Sequence, residues 1–295
     1  MDTIKKNIIL FPLNILFKIF PKTELKLLFR IKQGYRLNFK NPKTYNEKLQ
    51  WIKIYDKNPL MPKCVDKYKV REYVKERKCS EILNELIWEG FNPKDIPFEK
   101  LPNEFVIKVT HGSTFNVICK DKSKLDIEQT INKLSKWLNT KFIPCYGEWF
   151  YGVEKPRIII EKYIKSEDDN QLKDYKVFCF NGKPKYIRVD SDRFKNLKSD
   201  LYDENWNYIK EEHMGHEAAG NIFEKPKCLP QLLKYASKLS EPFIHARVDF
   251  YIVKEKIYFG EITFTNGAGF DKFNATNFDL KMGNLIDLDK VRGNS

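Results

Sequence analysis

The sequence has few cysteines, and none of them form a close pair. The six cysteines stand at positions 64, 79, 119, 145, 179 and 228, so no C-x-x-C motif is present. Without such pairs, neither a structural zinc site nor a thioredoxin-type redox centre is expected. The 295-residue chain is long enough to bury a sizeable core and has no recognisable secretory leader. We therefore expect free thiols in a reducing cytoplasm rather than disulfides.

Several catalytic and binding signatures are also missing. No internal repeat or low-complexity linker is present, and no Gly-Lys-Ser/Thr follows a glycine at the spacing of a Walker loop. We find no Ser/His/Asp or Cys/His constellation for covalent catalysis. RRM, KH and zinc-finger signatures are absent as well. These absences are compatible with an enzyme that needs no nucleophile of its own.

The longest apolar run, IILFPLNILFKIF at residues 8–20, is too short to cross a membrane. It has 13 residues, whereas a span needs about 20, and Pro12, Asn14 and Lys18 interrupt it. Two interpretations remain open. One is a helix or helix pair that packs on the body of the protein. The other is a peripheral membrane contact through residues 1–32, in which basic side chains meet anionic head groups: Lys18, Lys22, Lys26, Arg30 and Lys32.

Positive charge is the strongest compositional feature. Lysine and arginine total 53 against 40 acidic residues, which gives a net charge of +13. Such an excess predicts an anionic partner: nucleotide phosphate, nucleic acid, an acidic sugar or a membrane surface. Hydrophobic residues at 42% and charged residues at 32% are typical of a soluble globular protein.

Hydrophobic patterning and caps predict an α+β fold. Thr44 stands three residues before Glu47, a capping box ahead of a helix over 44–55, and Asp126 can cap a helix over 126–139. Further helices are predicted over 66–75 and 230–240, and strands over 104–110, 115–120, 157–164, 175–190 and 245–264. Tight turns at 181–183 and 253–256 predict hairpins. Antiparallel pairs separated by helices favour α+β over a Rossmann fold.

The last two predicted strands carry the densest chemistry. Arg247 and Asp249 alternate on one strand and so share a face, and Glu261 and Thr263 alternate on the next, ahead of the Gly-rich segment 266–269. Asp249 and Glu261 can then lie side by side, where a cation such as Mg²⁺ would relieve their repulsion. The alternative is a solvated sheet face of mixed charge.

Two further clusters could contact a nucleotide. Lys108 ends a strand just before the turn His111-Gly112-Ser113, where a glycine lets backbone N–H groups approach phosphate; His111 could equally cap a backbone carbonyl.

An apolar strand ends in Glu161, and Asp174-Tyr175-Lys176 begins the next, with Arg188 on the same antiparallel run as Lys176. An acid and an aromatic at the end of an apolar strand can hold a purine. The alternative is an ordinary hairpin that exposes basic residues.

Taken in order, these motifs resemble the ATP-grasp superfamily, which includes glutathione synthetase, D-alanine–D-alanine ligase and ribosomal-protein glutamate ligases. Four segments are similar to the TupA-like branch found in bacterial surface-polysaccharide loci: YNEKLQWIKIYDKNPL (45–60), DKYKVREYV (66–74), KVTHGS (108–113) and DYKVFCFNGK (174–183). The resemblance covers residues 40–270. It implies two lobes whose antiparallel sheets grip ATP, with a helical region at 1–60, one lobe at 61–164 and the other at 165–295.

The resemblance also implies roles for individual residues. ATP would be bound by Lys108, His111, Gly112, Ser113, Glu161, Tyr163, Ile164, Asp174 and Lys176, with adenine at Glu161 and the Tyr163–Ile164 backbone. Magnesium would be ligated by Asp249, Glu261 and Thr263. The catalytic residues would be Arg247, Lys176 and Arg188. Two positions depart from the family pattern: Thr263 stands where many relatives have Asn, and Thr114 stands where a second glycine is expected.

The implied activity is ATP-dependent ligation of a carboxylate to an amine through an acyl phosphate, with ATP and Mg²⁺ as cofactors. The substrates would be an amino acid or amine and a uronic acid of a capsular or other surface polysaccharide, in the cytoplasm or at the inner face of the membrane.

Two other classes of function are weighed against the ligase. The first is a nucleotide-sugar glycosyltransferase that binds a metal through Asp190 and Asp192; the second is a nucleic-acid-binding module. His213 and His216 have metal-ligand spacing, but a loop role is favoured because no third ligand lies nearby.

Overall fold

The computed structural model of this chain describes residues 10–112, 114–166, 172–191, 198–210, 212, 214, 218, 220, 222–273 and 276–292. These residues form nine α-helices and nine strands. The helices are α1 (Phe11–Ile19), α2 (Pro21–Gln33), α3 (Tyr45–Tyr55), α4 (Leu60–Val65), α5 (Val70–Glu76), α6 (Ile127–Leu138), α7 (Leu229–Ser240), α8 (Thr276–Asn284) and α9 (Asp289–Arg292). The strands are β1 (Leu86–Gly90), β2 (Phe105–Val109), β3 (Asn116–Cys119), β4 (Ile158–Lys162), β5 (Asp174–Phe180), β6 (Lys183–Ser191), β7 (Lys198–Asp203), β8 (His245–Val253) and β9 (Lys256–Thr263).

The chain divides into two units. The larger unit comprises residues 1–58, 143–148 and 166–295, and the smaller one comprises residues 59–142 and 149–165. The division of the sequence at residues 60 and 164 stays a prediction.

The smaller unit is built on an antiparallel sheet of four strands in the order β1-β4-β2-β3. Alternate residues of β2 are buried, so Phe105, Ile107 and Val109 join a core with Leu134 of α6. Because side chains alternate across a strand, Lys108 lies on the opposite face from this core.

The larger unit is built on an antiparallel sheet of five strands in the order β7-β6-β5-β8-β9. Helix α7 packs on β5, β6 and β8. Cys179 contacts the Ala236 carbonyl of α7 at 3.8 Å. Side chains at even positions of β5, including Asp174 and Lys176, therefore lie on the other face of the sheet.

The hairpins of this sheet turn through left-handed residues. Asn181 and Gly182 have φ of 51° and 77°, and Lys254 and Glu255 have φ of 48° and 60°. Two consecutive residues with positive φ match the twist of the flanking strands. Both predicted hairpins are confirmed.

Two helix caps predicted from the sequence are present in the structure, and one predicted helix start is wrong. Thr44 and Glu47 form the predicted capping box, and Asp126 accepts a hydrogen bond from the Gln129 N–H at 2.8 Å. The helix predicted from residue 66 begins only at Val70, because the Asp66 carboxylate accepts hydrogen bonds from the backbone of Tyr68 and Lys69 and holds a turn there.

Helices α1 and α2 form a pair that packs against other segments of the larger unit. Leu28 of α2 is buried with Ile143 and Cys145, and Leu13 and Phe17 of α1 cover the same cluster. This agrees with the interpretation of residues 8–20 as part of a helix pair. In the part of the chain that the structure describes, no helix combines the length and apolarity needed to cross a membrane.

All six cysteines are free thiols, as expected. Five of them are buried. The fold is therefore held by packing and hydrogen bonds without disulfide cross-links.

Candidate active site

One face of the five-stranded sheet carries a row of charged side chains across four strands. Lys176 on β5 lies opposite Arg188 on β6 and opposite Asp249 on β8. Asp249 in turn lies opposite Glu261 on β9. The predicted adjacency of Asp249 and Glu261 is confirmed, and Lys176 and Arg188 lie on one antiparallel pair of strands, as expected from the sequence. Antiparallel pairing brings these residues together although up to 85 positions separate them in the sequence.

Lys176 lies at the centre of three carboxylates. Its Nζ is 3.1 Å from Asp249 Oδ2, 3.3 Å from Asp174 Oδ2 and 3.7 Å from Asp190 Oδ2. All four side chains are at least nine-tenths buried. A buried cation surrounded in this way holds the three carboxylates in place.

Arg247 and Asp249 form a two-pronged ion pair on β8. Arg247 Nε donates to Asp249 Oδ1 at 2.7 Å and Nη2 donates to Oδ2 at 2.8 Å. Burial alone would raise the pKa of Asp249, but Arg247 and Lys176 outweigh it and lower that pKa to about 2. Burial lowers the pKa of Arg247, but Asp249 outweighs this effect and raises that pKa above its ordinary value. Both groups are therefore charged at neutral pH.

The remaining guanidinium contacts of Arg247 extend toward β9 and the segment after it. Nη2 donates to Thr263 Oγ1 at 3.1 Å and lies 3.6 Å from Glu261 Oε1. Nη1 donates to the side-chain oxygen of Asn266, whose amide nitrogen donates to Asp271. Asp249, Thr263 and Asn266 thus hold the Arg247 side chain, and its planar guanidinium lies on the sheet face.

Arg188 and Asp190 form a second pair on β6. Arg188 Nη2 donates to Asp190 Oδ2 at 3.2 Å, and Ser199 on β7 donates its hydroxyl to Asp190 Oδ1 at 2.7 Å. Burial would raise the pKa of Asp190, but Arg188 and Lys176 lower it overall. Asp190 therefore belongs to the same charged cluster as Lys176.

The oxygen atoms on this face are of the kind that Mg²⁺ prefers. Asp249 is buried, whereas Glu261 is 46% exposed and directly opposite it, with Thr263 two residues further along β9. The cluster contains four carboxylates and three cations, so it cannot by itself neutralise a triphosphate. Hard oxygen ligands beside a phosphate site suit a divalent cation that keeps several waters.

The acidic ligands alone do not form a complete metal cage. Among the described residues, no group of three His, Cys, Asp or Glu side chains has the geometry of a metal site. Asp249, Glu261 and Thr263 offer two carboxylates and a hydroxyl on this face, and their role as magnesium ligands stays a prediction.

The second set of candidate residues lies on the four-stranded sheet. Lys108 Nζ donates to Glu161 Oε2 at 2.6 Å, and Arg71 Nη1 donates to Glu161 Oε1 at 2.9 Å. Lys108 lies opposite Ile159, so Glu161 is its diagonal neighbour on β4. The buried Glu161 carboxylate thus holds two cations from different elements.

The turn after β2 is tightly packed. A Cβ on Gly112 would overlap the Phe115 ring, and Lys67 Nζ donates to the Gly112 carbonyl at 2.9 Å. Thr114 has φ of 64°, in the left-handed region that favours glycine, and it stands where the family pattern has a glycine. Ser113 lies outside the described residues.

His111 behaves as a turn histidine. Its Nε2 lies 2.8 Å from the Thr140 carbonyl, and burial lowers its pKa. This contact agrees with the capping alternative. The segment after β4 contains Tyr163, half-buried under Lys120 Nζ at 5.7 Å, and the half-buried Ile164.

Three residues of these clusters were not among the candidate ligase residues predicted from the sequence. Arg71 is one of many basic residues in its segment, and only the fold brings it to Glu161. Asn266 stands in the Gly-rich segment, but its bond to Arg247 depends on how that segment folds. Asp190 was considered only for a glycosyltransferase; its alternation with Arg188 on one strand was an available signal.

His213, His216 and Asp192 lie outside the described residues.

A sheet face with a bidentate Arg–Asp pair, a central lysine and two adjacent oxygen donors is suited to an enzyme that transfers phosphoryl groups. The model of the TupA-like ATPgrasp family matches residues 47–287, so the chain belongs to the TupA-like ATP-grasp family. It is accordingly an ATP-binding, ADP-forming ligase that joins a carboxylate to an amine. The resemblance and the fold class expected from the sequence are both confirmed.

Solved structures of ligases resemble this chain distantly. D-alanine–D-alanine ligase from Bacillus anthracis, complexed with ATP, has 17% identity and a TM-score of 0.46 over 79% of this chain and 68% of that one. L-amino acid ligase from Bacillus licheniformis has 14% identity and a TM-score of 0.46 over 76% and 49%. Phosphoribosylamine–glycine ligase from Thermotoga maritima has 13% identity and a TM-score of 0.43 over 70% and 49%. No curated protein matches the chain.

Proposed function

We propose that this ligase forms an amide between an amino acid or amine and a uronic acid of a capsular or other surface polysaccharide. The observation that carries the ligase chemistry is the buried Arg247–Asp249–Lys176 cluster directly beside Glu261. It places a planar cationic donor, a point charge and two metal-type oxygens on one sheet face. These are the groups needed where charge develops on a phosphate and on a carbonyl oxygen.

The proposed reaction has two steps. A carboxylate oxygen of the acid attacks the γ-phosphorus of ATP, the bond to the β-phosphate oxygen breaks, and ADP leaves. The amine nitrogen then attacks the acyl carbon, the C–O bond to phosphate breaks, and the amine releases a proton. Phosphorylation is needed because a carboxylate oxygen is a poor leaving group. The enzyme itself forms no covalent bond.

The residues of the larger unit would act on the transferring phosphate. Lys176 and Arg188 would contact phosphate oxygens, and Arg247 would stabilise the acyl phosphate and the tetrahedral intermediate. Asp174, 3.3 Å from Lys176 Nζ, would keep that lysine oriented. Asp249, Glu261 and Thr263 would hold Mg²⁺, which when bound neutralises charge on the phosphates.

The residues of the smaller unit would bind the nucleotide. Lys108, oriented by Glu161, would contact phosphate oxygens, and the turn with His111, Gly112 and Ser113 would supply backbone N–H groups. The adenine would contact Glu161 and the backbone of Tyr163 and Ile164. Arg71, which shares the Glu161 carboxylate, would keep that side chain in place.

Two observations support a uronic acid as the acceptor. They are the net charge of +13, which suits an acidic acceptor, and the resemblance to a branch found in surface-polysaccharide loci. The reaction would take place in the cytoplasm or at the inner face of the membrane.

An ADP-release screen tests this function. The full chain would be incubated with ATP and Mg²⁺ and with pairs of amino acids and uronic acids, the acids supplied free, nucleotide-linked or polymeric. We expect ADP release that depends on both substrates, and a hydroxamate when hydroxylamine replaces the amine. Lys108→Met should abolish the signal, whereas Lys100→Met, at an exposed lysine of the same unit, should keep it.

Two results would contradict the proposal in different ways. ADP release with carboxylates other than uronic acids would retain the ligase and reject the acceptor. Sugar transfer from a nucleotide donor without ADP would reject the ligase and favour the Asp190/Asp192 glycosyltransferase. A gel shift with nucleic acid, without ADP release under any pairing, would favour the binding module.

A further inference from the structure

The outer face of helices α1 and α2 combines exposed apolar and basic side chains. Six apolar side chains on this face are between 45% and 66% exposed: Phe11, Ile15, Ile19, Phe20, Leu27 and Ile31. Four basic side chains are exposed among them: Lys18, Lys22, Lys26 and Arg30. We refer to these ten residues as the outer face. Large exposed apolar groups that cluster in this way indicate an interaction surface.

The helical period arranges α2 in three strips. Leu25, Leu28 and Phe29 form the buried strip that packs on the larger unit. Lys22, Lys26 and Arg30, spaced by four residues, form a basic strip, and Leu27 with Ile31 forms an apolar strip beyond it. On α1 the same spacing aligns Phe11, Ile15 and Ile19. The apolar and basic strips are therefore features of the folded helices and not scattered exposures.

Basic residues greatly outnumber acidic ones in the described part of the chain that contains α1 and α2. Between residues 10 and 43 the sequence has eight basic residues, and all but Lys32 are exposed. The single acid of that stretch, Glu24, is fully buried on the inner side of α2. An anionic partner would therefore meet no repulsive carboxylate on the outer face.

We propose that the outer face docks on a lipid membrane containing anionic lipids. The apolar side chains insert at the level of the head groups, and the basic side chains pair with lipid phosphates. A second copy of the chain fits poorly, because a two-fold interface would bring two basic strips together. Nucleic acid fits poorly, because its phosphate backbone would leave the aliphatic side chains without an apolar partner. The docking is independent of the ligase chemistry and is measured without ATP or acceptor.

Vesicle co-sedimentation of the full chain tests the docking. We expect binding to vesicles with about 30% anionic lipid and little binding to neutral phosphatidylcholine vesicles. Raising the salt to about 0.5 M should release much of the bound protein, because screening weakens the contact with lipid phosphates.

Two sets of variants separate the charges from the apolar groups. The charge variant combines Lys18→Gln, Lys22→Gln, Lys26→Gln and Arg30→Gln, and its partition coefficient should fall at least about tenfold. The control removes four exposed lysines of the smaller unit, at positions 78, 94, 100 and 124, and should bind like the wild type. The apolar variant is Ile15→Ser, Ile19→Ser and Ile31→Ser; Ile118→Ser, Ile127→Ser and Val153→Ser form its control.

Several outcomes would overturn the proposal. Equal sedimentation of the charge variant and its control shows that the outer face does not bind lipid. Equal binding to neutral and anionic vesicles would show that the basic side chains do not contribute to binding through lipid phosphates. If the charge variant instead loses a gel shift with duplex DNA, or loses self-association in sedimentation velocity without vesicle binding, the partner is nucleic acid or a second copy. Unchanged melting temperatures of all variants confirm that folding is not the cause.

Discussion

Lys176 lies directly opposite Asp249 on neighbouring antiparallel strands, with its Nζ 3.1 Å from Oδ2 and both side chains buried. The same Nζ is within 3.7 Å of Asp174 and Asp190. Lys176 therefore contributes to compensating three buried acids, together with Arg247 at Asp249 and Arg188 at Asp190. This dependence has consequences for stability as well as for catalysis.

Lys176→Met should strongly destabilise the larger unit at neutral pH. Removing one partner of a buried ion pair costs about 3–5 kcal/mol. Without Lys176, the buried acids Asp174, Asp190 and Asp249 outnumber the buried cations Arg188 and Arg247. Lys176 lowers the pKa of Asp190 and of Asp249, so these two carboxylates should titrate at higher pH in the variant than in the wild type. Part of the lost stability should therefore return as the pH falls toward about 5. Chemical denaturation at the two pH values measures the difference.

Lys185→Met is the matched control for this loss. Lys185 lies on the adjacent strand β6 and pairs with Glu204 at 2.6 Å, but both side chains are about one-third exposed. Such a surface pair contributes about 1 kcal/mol or less. If the two variants lose equal stability, Lys176 does not compensate the three acids.

Arg247→Lys should reduce turnover with little effect on ATP binding. A lysine retains the charge but cannot reproduce the bonds to Asp249, Thr263 and Asn266. Loss of a donor used mainly in the transition state costs about a hundredfold in turnover. ADP-release kinetics and the ATP-induced rise in melting temperature measure the two effects.

Arg36→Lys, at an exposed arginine, should behave like the wild type in both assays. A turnover of Arg247→Lys within about threefold of the wild type would contradict the transition-state role.

Glu261→Ala should remove most of the extra thermal stabilisation that Mg²⁺ adds to ATP. Glu261 is 46% exposed on the sheet face, so its loss should leave the fold intact. Ligand binding raises the melting temperature by mass action, which makes the shift a measure of affinity. We expect the shift with ATP alone to be unchanged.

Glu99→Ala removes an exposed carboxylate of the smaller unit and should keep the full magnesium-dependent shift. If Glu261→Ala also shows the full magnesium-dependent shift in melting temperature, Glu261 is not a ligand of the metal.

Glu24 should make wild-type stability decrease between about pH 5 and pH 8. Among the described residues, neither of its buried carboxylate oxygens has a hydrogen-bond partner. Burial raises the pKa of Glu24 to about 8, against the opposing effect of Lys53. The native state therefore binds a proton at Glu24 more tightly than the unfolded state does. The stabilisation that this proton provides is full below about pH 4.5 and is lost as the pH rises through about 8.

Glu24→Gln retains the shape of the side chain without the titration, so its melting temperature should fall less between pH 5 and pH 8. Burial also raises the pKa of Glu148 to about 7, but that acid is common to both proteins. Glu128→Gln, at an exposed acid of α6, controls for the loss of a carboxylate. Equal slopes for the wild type and Glu24→Gln would show that Glu24 is already ionised at neutral pH.

Local patterns predicted the parts of the candidate site that lie within one hairpin. Alternation placed Arg247 and Asp249 on one face, and the short turn at 253–256 brought β9 beside β8, so Glu261 had to lie near Asp249. The caps at Thr44 and Asp126 were equally predictable, because each depends on backbone groups three residues away. These features are controlled by steric and hydrogen-bonding rules that act over a few residues.

Contacts between distant segments were beyond such rules. Arg71 and Lys108 share Glu161, 90 and 53 positions away. The turn after Lys108 marked that lysine as a candidate, but nothing in the local sequence shows that it or Arg71 contacts Glu161. The burial of Glu24 on a helix rich in exposed lysines was equally hidden, since a helix period shows two faces but not which one the body covers.

The sequence by itself determined the class of fold, the ordered motifs of the family and the sharing of one strand face by Arg247 and Asp249. Only the tertiary structure decided which charges meet: Lys176 among three acids, Arg247 at Asn266, and Glu161 between two cations. The physical reason is that side-chain alternation and capping are short-range. Pairing of charges instead depends on strand register and packing, which many residues far apart in the chain set together.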